Sequence, residues 1–447
     1  MRFVSGSAPE LQIRAHYVLQ NSGNSDLRFV DVVLPDAKLY GLKDLHAEVD
    51  GRESAFSDLP EEYQQETPGI RRILMDRPWM QKQTRELVIS YSFSSPEDLG
   101  AQITLGAADF HLSSLGWSPA LQPPKHVLSP FPRRPERTTY TVRVPVDFLI
   151  LARGHQTGRK QEGGEVAYTF ELRKDDLSPY MVAGRYTESQ SSHRGSGAVL
   201  WTLQPLGEDA GRIEEHIARA WEVLQSNFGS FDQSIRAPHI VESAGLRAHL
   251  TGETGAAFGS FPGGVLVNHA ALALGISSEA FLAKTIHALA HNWFGDEMYL
   301  ERDAALGMGE GLPDYATIVI DEALGGEAAR RRRIVKFLQE YDEARKAAVE
   351  TPLGTTVLTD MAEKRRISLA KALLFYAALE DTCGEAQMRN SLAHMVVLMR
   401  GNEVGFEDLR AALEQSTGKD LAETFRVWLN EKGIPEKFRD RYSGEKD

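Results

Sequence analysis

Two histidines four residues apart, followed by a glutamate within reach of a second helix, constrain this chain more than anything else in it. His287 and His291 lie in the run His287-Ala288-Leu289-Ala290-His291-Asn292-Trp293-Phe294-Gly295. On a helix they stand one turn apart on one face, where both imidazoles can reach the same ion. Eighteen residues separate His291 from Glu310 of Gly309-Glu310-Gly311, room for a turn and the start of another helix. Glu310 then completes a His/His/Glu set with a fourth position open, the ligand set of a catalytic zinc. A His-x-x-x-His spacing alone is weak, because two histidines on a partly buried helix face give the same pattern.

The flanking residues add specificity. HxxxHNWFGD, then GEGLPDYA after the eighteen-residue gap, resembles the zinc aminopeptidases of peptidase family M1, which read HExxHxWFGN and then LNEGFAxY. Trp117-Ser118-Pro119 is similar to that family's Trp-Tyr-Pro, and Val182-Ala183-Gly184-Arg185-Tyr186 to the strand that ends its N-terminal domain. Trp428, Gly433 and Pro435 are similar to its closing W…G-x-P run, so the resemblance covers most of the chain. It implies an α+β fold. An N-terminal antiparallel β domain is expected over residues 1–190. A thermolysin-like, mostly α-helical zinc domain is expected over 191–447, with its zinc helices at 279–325 and a short helical part at the C-terminus. The resemblance also implies zinc on His287, His291 and Glu310, and a peptide or protein as substrate or ligand. Asp314, one turn beyond Glu310, either supports a ligand histidine or is a helix-surface aspartate.

Three positions depart from the family pattern. Ala288 follows the first histidine, where an H-E-x-x-H metallopeptidase carries the glutamate that acts as general base toward the attacking water. The family's Y-x-K-G-A run aligns with Leu369-Ala370-Lys371-Ala372-Leu373. Leu369 therefore stands where a tyrosine would stabilise the oxyanion. Tyr376, two turns further on, is roughly 10 Å away along the helix axis and does not replace it. The family's GxMEN strand, whose glutamate holds the substrate's free amine, aligns loosely with Gly259-Ser260-Phe261-Pro262-Gly263-Gly264-Val265. Phe261 then falls near the anchor position, with Gly263 and Gly264 beside it as substrate-binding backbone. General acid–base help contributes about 10² to 10⁴ in rate and an oxyanion donor about 10² to 10³. Their joint loss implies a zinc scaffold that is inactive or strongly impaired, by natural divergence or by a made substitution at 288. One alternative is a working, endopeptidase-like enzyme that uses Glu253, Glu242, Arg365 or Arg366 instead. Another is a metal-free interaction module.

Composition sets bounds. A length of 447 residues allows two or three domains, and 42% apolar with 25% charged residues is ordinary for a globular protein. The net charge of −13 speaks against a nucleic-acid surface. No apolar run is long enough for a membrane span, and the opening residues lack the apolar core of a signal peptide. Relatives are often exported, so a start after a removed signal fits equally well. The single cysteine, Cys383, excludes an internal disulfide and reads as a packing residue beside acidic neighbours.

Period-two alternation predicts strands at 11–19, 87–93 and 139–144, separated by turns at Asn21–Asn24, Asp50-Gly51 and Gly163-Gly164. Prolines 119, 123, 124, 130, 132 and 135 mark a long irregular crossing, and His111 and His126 lack ligand spacing. The polar stretch 189–196 is the expected domain boundary. Beyond it, strands are expected at 198–203, 239–241 and 265–267, and a helix at 210–228. The histidine helix is expected to start from Ser277 or Ser278 and to stop at Gly295. A second ligand helix is expected from Glu310 to Gly325-Gly326, with Pro313 in its first turn. Further helices follow from Arg330, whose four arginines read as a solvated face, and at 365–382, 386–400, 406–415 and 421–432.

Overall fold

A computed structural model describes residues 1–35, 41–59, 69–94, 103–113, 117–122, 137–172, 179–190, 197–205, 210–230, 237–246, 256–273, 279–295, 298–301, 303–356, 362–398, 400 and 402–443. The alternating segments of the first part form strands, among them Glu10–Gln20, Thr84–Phe93 and Thr138–Pro145. Glu10–Gln20 and Thr84–Phe93 lie side by side in an eight-stranded sheet, antiparallel except where Arg2–Val4 runs parallel to Thr138–Pro145. Two four-stranded sheets complete this β part. Their inward residues, including Phe3, Ile89, Phe93, Phe110 and Val142, share one apolar core. Trp117 closes that core: its Nε1–H donates to the Ser113 and Pro179 carbonyls, and Tyr91 Oη–H donates to the Trp117 carbonyl. His111 is a core histidine on the strand Asp109–Leu112. His126 and prolines 123, 124, 130, 132 and 135 lie outside the described residues.

The chain changes sheet between Gly184 and Thr187. Met181–Gly184 pairs with Asp109–Leu112, whereas Thr187–Gln190 pairs with Val199–Thr202 in a separate five-stranded sheet. In that sheet Val199–Thr202, His239–Glu242 and Gly264–Val267 run parallel, with Phe258–Phe261 antiparallel at one edge. The helix Ala210–Phe228 has the expected bounds and buries Ile213, Ile217, Trp221 and Leu224 on one face. Beyond residue 279 the chain is mostly helical, and its buried residues form a second large core. The α+β class with a β-rich first part and a helical second part is therefore the observed architecture. Two short helices, His269–Ala273 and Ala305–Gly309, and the terminal helix Glu436–Ser443 are additions to the expected elements. Among the described residues no helix is long and apolar enough to cross a membrane.

The ligand helix ends at Gly325-Gly326 as expected: Gly326 adopts a non-helical φ of +68, and a second helix follows this kink to Ala347. One expectation needs correction. The kink turns Arg330 inward, so it is not part of a solvated face. It is 6% exposed, donates to the Tyr442 hydroxyl, and pairs with Glu380 and Asp381 of the helix Ala362–Cys383 at 3.5 Å. Arg333 pairs with Asp321 across the same bend. A buried guanidinium needs such partners, because an unpaired one costs several kcal/mol, roughly. Cys383 is buried as expected, but burial, rather than acidic neighbours, raises its thiol pKa.

Gly311 sets how closely the long helix packs on Ala362–Cys383. A Cβ there would lie 2.7 Å from Ala372 Cβ and 2.8 Å from the Tyr376 ring. Nearby, Lys371 is fully buried, donating to Glu350 Oε1 at 2.9 Å and to the Glu431 carbonyl. Glu350 Oε2 also accepts from Tyr341 and from the Gly433 backbone. This network holds the C-terminal segment against the helical core.

The β part meets the five-stranded sheet through a shared apolar cluster containing Tyr180, Val182, Trp201, Val241 and Phe261. It also meets it through one buried acid. Asp109 Oδ2 accepts from Ser243 Oγ at 3.0 Å and from the Ala244 N–H at 3.2 Å. Burial raises the Asp109 pKa from 3.8 to about 6, with a push from Glu242, against the Ser243 and Ala244 hydrogen bonds. A carboxyl with a raised native pKa stabilises the fold below its unfolded value and loses that contribution as pH rises through the native one. Asp109→Asn should therefore gain stability relative to the unaltered chain between pH ~4 and ~7, by up to about 3 kcal/mol. Urea unfolding across that pH range is the measurement, and a flat difference would rule out Asp109 as the titrating group of this junction.

Candidate metal centre

The histidine helix runs from Glu279 to Ala290, shorter than expected. Ser277 and Ser278, the expected N-caps, lie outside the described residues. The helix ends early because the chain tightens into a turn. Asn292 N–H bonds to Leu289 O, and the Trp293 and Phe294 N–H groups both bond to Ala290 O. Gly295 closes the turn at φ +149, in the region that favours glycine. A Cβ at 295 would also stand 3.1 Å from His291 Nδ1. Asn292 pins the turn to the sheet: its Oδ1 accepts from Gly263 N–H, and its Nδ2 donates to Gly264 O. The side chains of Trp293 and Phe294 fill the core, Trp293 against Trp221 and Phe294 against Phe228.

Glu310 sits at the junction of Ala305–Gly309 and the long helix Gly311–Ala347. This places its carboxylate opposite the two imidazoles. His287 Nε2 is 3.2 Å from Glu310 Oε2 and 3.2 Å from His291 Nε2, and His291 Nε2 is 3.7 Å from Glu310 Oε2. Ligands about 2.0–2.1 Å from a tetrahedral zinc stand roughly 3.3 Å apart, so the triangle fits one such ion. His287 Nδ1 lies 2.7 Å from Asp314 Oδ1. A proton on Nδ1 satisfies that contact and leaves the Nε2 lone pair for a metal. Of the two alternatives for Asp314, the geometry places it on the ligand histidine, with its side chain only 18% exposed.

The electrostatics of the cluster call for positive charge. Burial disfavours the charged form of His287, but Asp314 and then Glu310 outweigh it and raise its pKa to about 10. Burial also disfavours charged Glu310, yet the His287 hydrogen bond and the charges of His291, His287 and Arg365 hold it at about 2. The His291 pKa is lowered by burial and by His287, against the pull of Glu310. A second carboxylate cluster, Glu322, Glu380 and Glu385, is different in kind. Arg389 reaches all three and Arg330 also pairs with Glu380, so the cluster's negative charge is already partly compensated by the protein's own cations.

The remaining expected site residues fall in three places. Ala288 is 3% exposed, its methyl packed in the helical core beside the first ligand. Leu369 is partly exposed on Ala362–Cys383, and Tyr376 is buried with its hydroxyl donating to Gly307 O. Phe261, Gly263 and Gly264 are buried, so they do not form an open wall. Phe261 packs against His111 and Tyr180, because the hairpin turns its ring toward the junction core. Gly264 fits only because a Cβ there would run into the Phe261 ring and the His239 carbonyl. Gly295 was expected as the stop and closes the turn. Sequence reasoning did not find the role of Asn292, whose signal was an Asn in the turn after the second histidine.

Protein purified without chelator is expected to carry about one zinc per chain, through the three-ligand set. His291→Ala should abolish this, and Asp314→Asn should weaken zinc binding about 10- to 100-fold. Elemental analysis and competition with a chromogenic chelator provide the measurement. Zinc well below stoichiometric, and not restored by dialysis against zinc, would count against the site.

Comparison with known proteins agrees with this geometry. Residues 266–428 match the Peptidase family M1 domain, a span that includes all three ligand residues. No curated protein sequence matches the chain. Among solved structures, a glutamate-to-alanine mutant of an M1 zinc metallopeptidase from Deinococcus radiodurans superposes with TM-score 0.66 at 17% identity, covering 97% of this chain and 94% of that one. The same mutant bound to a Tyr-Ser-Ala substrate gives 0.64 at 18% identity, covering 96% and 91%. Yeast LTA4 hydrolase gives 0.67 at 12% identity, covering 98% of this chain and 68% of its own. Zinc is the metal of these M1 metallopeptidases, and it is the ion the His/His/Glu cluster fits. Residues 266–428 thus match the Peptidase family M1 domain, and the chain around them shares the two-part fold of the M1 zinc metallopeptidases.

Proposed function

We propose that this chain is a peptide-binding M1-type zinc protein whose hydrolytic chemistry is absent or strongly impaired. The observation that carries this reading is an asymmetry. The ligand triangle and its Asp314 support are complete, whereas the two neighbouring positions that would handle protons and charge are a methyl group and a leucine. His287, His291 and Glu310 would hold the ion, and Asp314 would orient His287. When bound, zinc supplies Lewis acidity toward a peptide carbonyl and toward water. Ala288 can neither take a proton from water nor deliver one to a leaving amine. Leu369 has no donor for a developing oxyanion.

The division into a β domain over 1–190 and a zinc domain over 191–447 belongs to the same reading. The separate cores support two parts, and the change of sheet between Gly184 and Thr187 favours a boundary a few residues before 190. Glu242 is a poor substitute base. It is 3% exposed, and its carboxylate is occupied by the Leu203 N–H and His269. Glu253, the other acid considered, lies outside the described residues. The triangular ligand geometry speaks against a metal-free module. Three departures at once, at 288, 369 and 261, favour divergence over a single made substitution.

Ala288→Glu is the direct test. Glutamate is a good helix former, but its carboxyl would enter a position that is only 3% exposed, so thermal melting should fall while the fold is kept. Peptide hydrolysis by the zinc-loaded variant should rise about 10²-fold or more. Ordinary peptidase rates in the unaltered chain would overturn the impaired reading, and an inert, zinc-loaded variant would move the block to Leu369. In the variant, a peptide and its N-acetylated form should be cleaved at rates within about threefold, because Phe261 cannot pair with an ammonium. A strong preference for the free amine would show that a carboxylate elsewhere anchors it.

A further inference from the structure

The seam between the β part and the five-stranded sheet is closed by a chain of hydrogen bonds that ends on one acid. Thr104 and Asp109 stand on strands of the β part, and Ser243 and Ala244 follow His239–Glu242 of the other sheet. Ser243 Oγ–H donates to Asp109 Oδ2, so Thr104 Oγ1–H is the donor to Ser243 Oγ, 3.0 Å away. Ala244 N–H is the second donor to Oδ2. Thr104, Asp109 and Ser243 are all 0% exposed. The two backbones meet closely here. A Cβ on Gly245 would lie 2.9 Å from Thr104 Cβ, and one on Gly106 would lie 2.1 Å from Asp109 Oδ1.

Asp109 Oδ1 has no donor. An ionised carboxylate needs donors on both oxygens, whereas a protonated one carries no charge to solvate. The groups around Asp109 do not supply what the ionised form lacks. Tyr186, whose buried hydroxyl is also without a partner, is kept neutral above all by burial. Its neighbour Arg185 donates its N–H to the Ala108 carbonyl and turns its guanidinium to Asp147, on a side chain 59% exposed. Glu242 adds negative charge and is itself occupied by the Leu203 N–H and His269. His111, on the strand of Asp109, packs on Phe261. Burial, the largest influence, raises the Asp109 pKa to about 6. A proton on Asp109 fits the closed seam, and its loss leaves a buried charge with one oxygen unserved.

We propose that Asp109 is a proton-operated latch on this seam. Protonated, it holds the turn 243–246 against Thr104 and Gly106. Ionised, it releases that turn to water while both cores stay folded, and the proton passes to the solvent admitted. The turn is suited to such a movement. Ala244 is already exposed, and behind it the segment is tied by Ser243 N–H to the Val267 carbonyl and by Asn268 Nδ2 to the Leu246 carbonyl at 3.4 Å. Val267 ends the strand that begins at Gly264, and Gly264 O receives Asn292 from the turn after His291. The latch therefore lies one strand away from the metal turn. Local opening of this kind draws on a low-stability unit of the fold, separate from global unfolding.

The test is amide hydrogen exchange of the zinc-loaded full chain from pH ~5 to ~8, each rate divided by the intrinsic chemical rate at that pH. The reporters are the Gly106, Arg185, Ala244 and Leu246 amides, all hydrogen-bonded at the seam, and the reference is the helix Ala210–Phe228. Reporter protection should fall about 10- to 100-fold as pH rises through the Asp109 transition, the span set by a pKa moved from 3.8 to about 6. At the upper pH the reporters should exchange at least about tenfold faster than the buried amides of the helix. Asp109→Asn should keep them protected across the range. Ser243→Ala, which removes a hydrogen bond that favours the ionised form, should move the step to higher pH, and it decides the matter if Asp109→Asn does not fold. Flat protection in the unaltered chain would overturn the inference, as would a step that persists in Asp109→Asn or stays in place in Ser243→Ala. Loss of protection at every pH in Asp109→Asn would make Asp109 a structural anchor only. Equal exchange of seam and helix at the upper pH would mean that the seam opens only in global unfolding, and the latch would be refuted.

Discussion

One short contact, His287 Nδ1 to Asp314 Oδ1 at 2.7 Å, joins the two helices that make the site. It links the histidine helix to the first turn of the long helix and leaves Nε2 of the same ring pointed at Glu310. Much of the nearby structure serves this approach. Gly311 lets the long helix sit against Ala372 without a side chain between them, and its neighbour Glu310 is held at the open end of that seam. On the other flank, Asn292 fastens the turn after His291 to the Gly263–Gly264 hairpin. The ligands are thus fixed from three sides by contacts that do not involve the metal, the condition for a preorganised site.

The clustering of His287 and His291 was legible because helical spacing translates directly into a shared face, and Glu310 joins them from another element. The sequence carried most strands and helices for the same reason: Glu10–Gln20, Ala210–Phe228 and Phe406–Thr417 show clear periodicity over their whole length. It failed where tertiary contacts decide the outcome. The histidine helix stops at Ala290, although its residues read as helical to Gly295, because Trp293 and Phe294 are drawn into the core by Trp221 and Phe228. Arg330 sits in an arginine run that reads as solvated, yet the kink at Gly326 turns it onto Glu380 and Asp381. Neither acid is its neighbour in sequence, so no local pattern announces the pair. Phe261 was legible only as an alignment position. Its burial against Tyr180 depends on the meeting of two sheets.

The departures at 261, 288 and 369 share a physical character. Each puts an apolar side chain where a polar, ionisable or hydrogen-bonding one would serve catalysis, and Phe261 and Ala288 are also buried in apolar clusters. Catalytic polar groups are held at some cost to stability, since burying an ionisable group without full pairing is unfavourable by several kcal/mol, roughly. A methyl at 288 and a phenyl ring at 261 remove that cost and leave the packing intact. The ligands are different. His287, His291, Glu310 and Asp314 form a mutually paired cluster, so removing one member strands the others' charges in a partly buried site. On the proposed loss of hydrolysis, the proton-handling positions can drift one at a time, whereas the paired His/His/Glu/Asp cluster resists change as a unit. A complete triangle beside an alanine and a leucine is the state that this difference in coupling would produce.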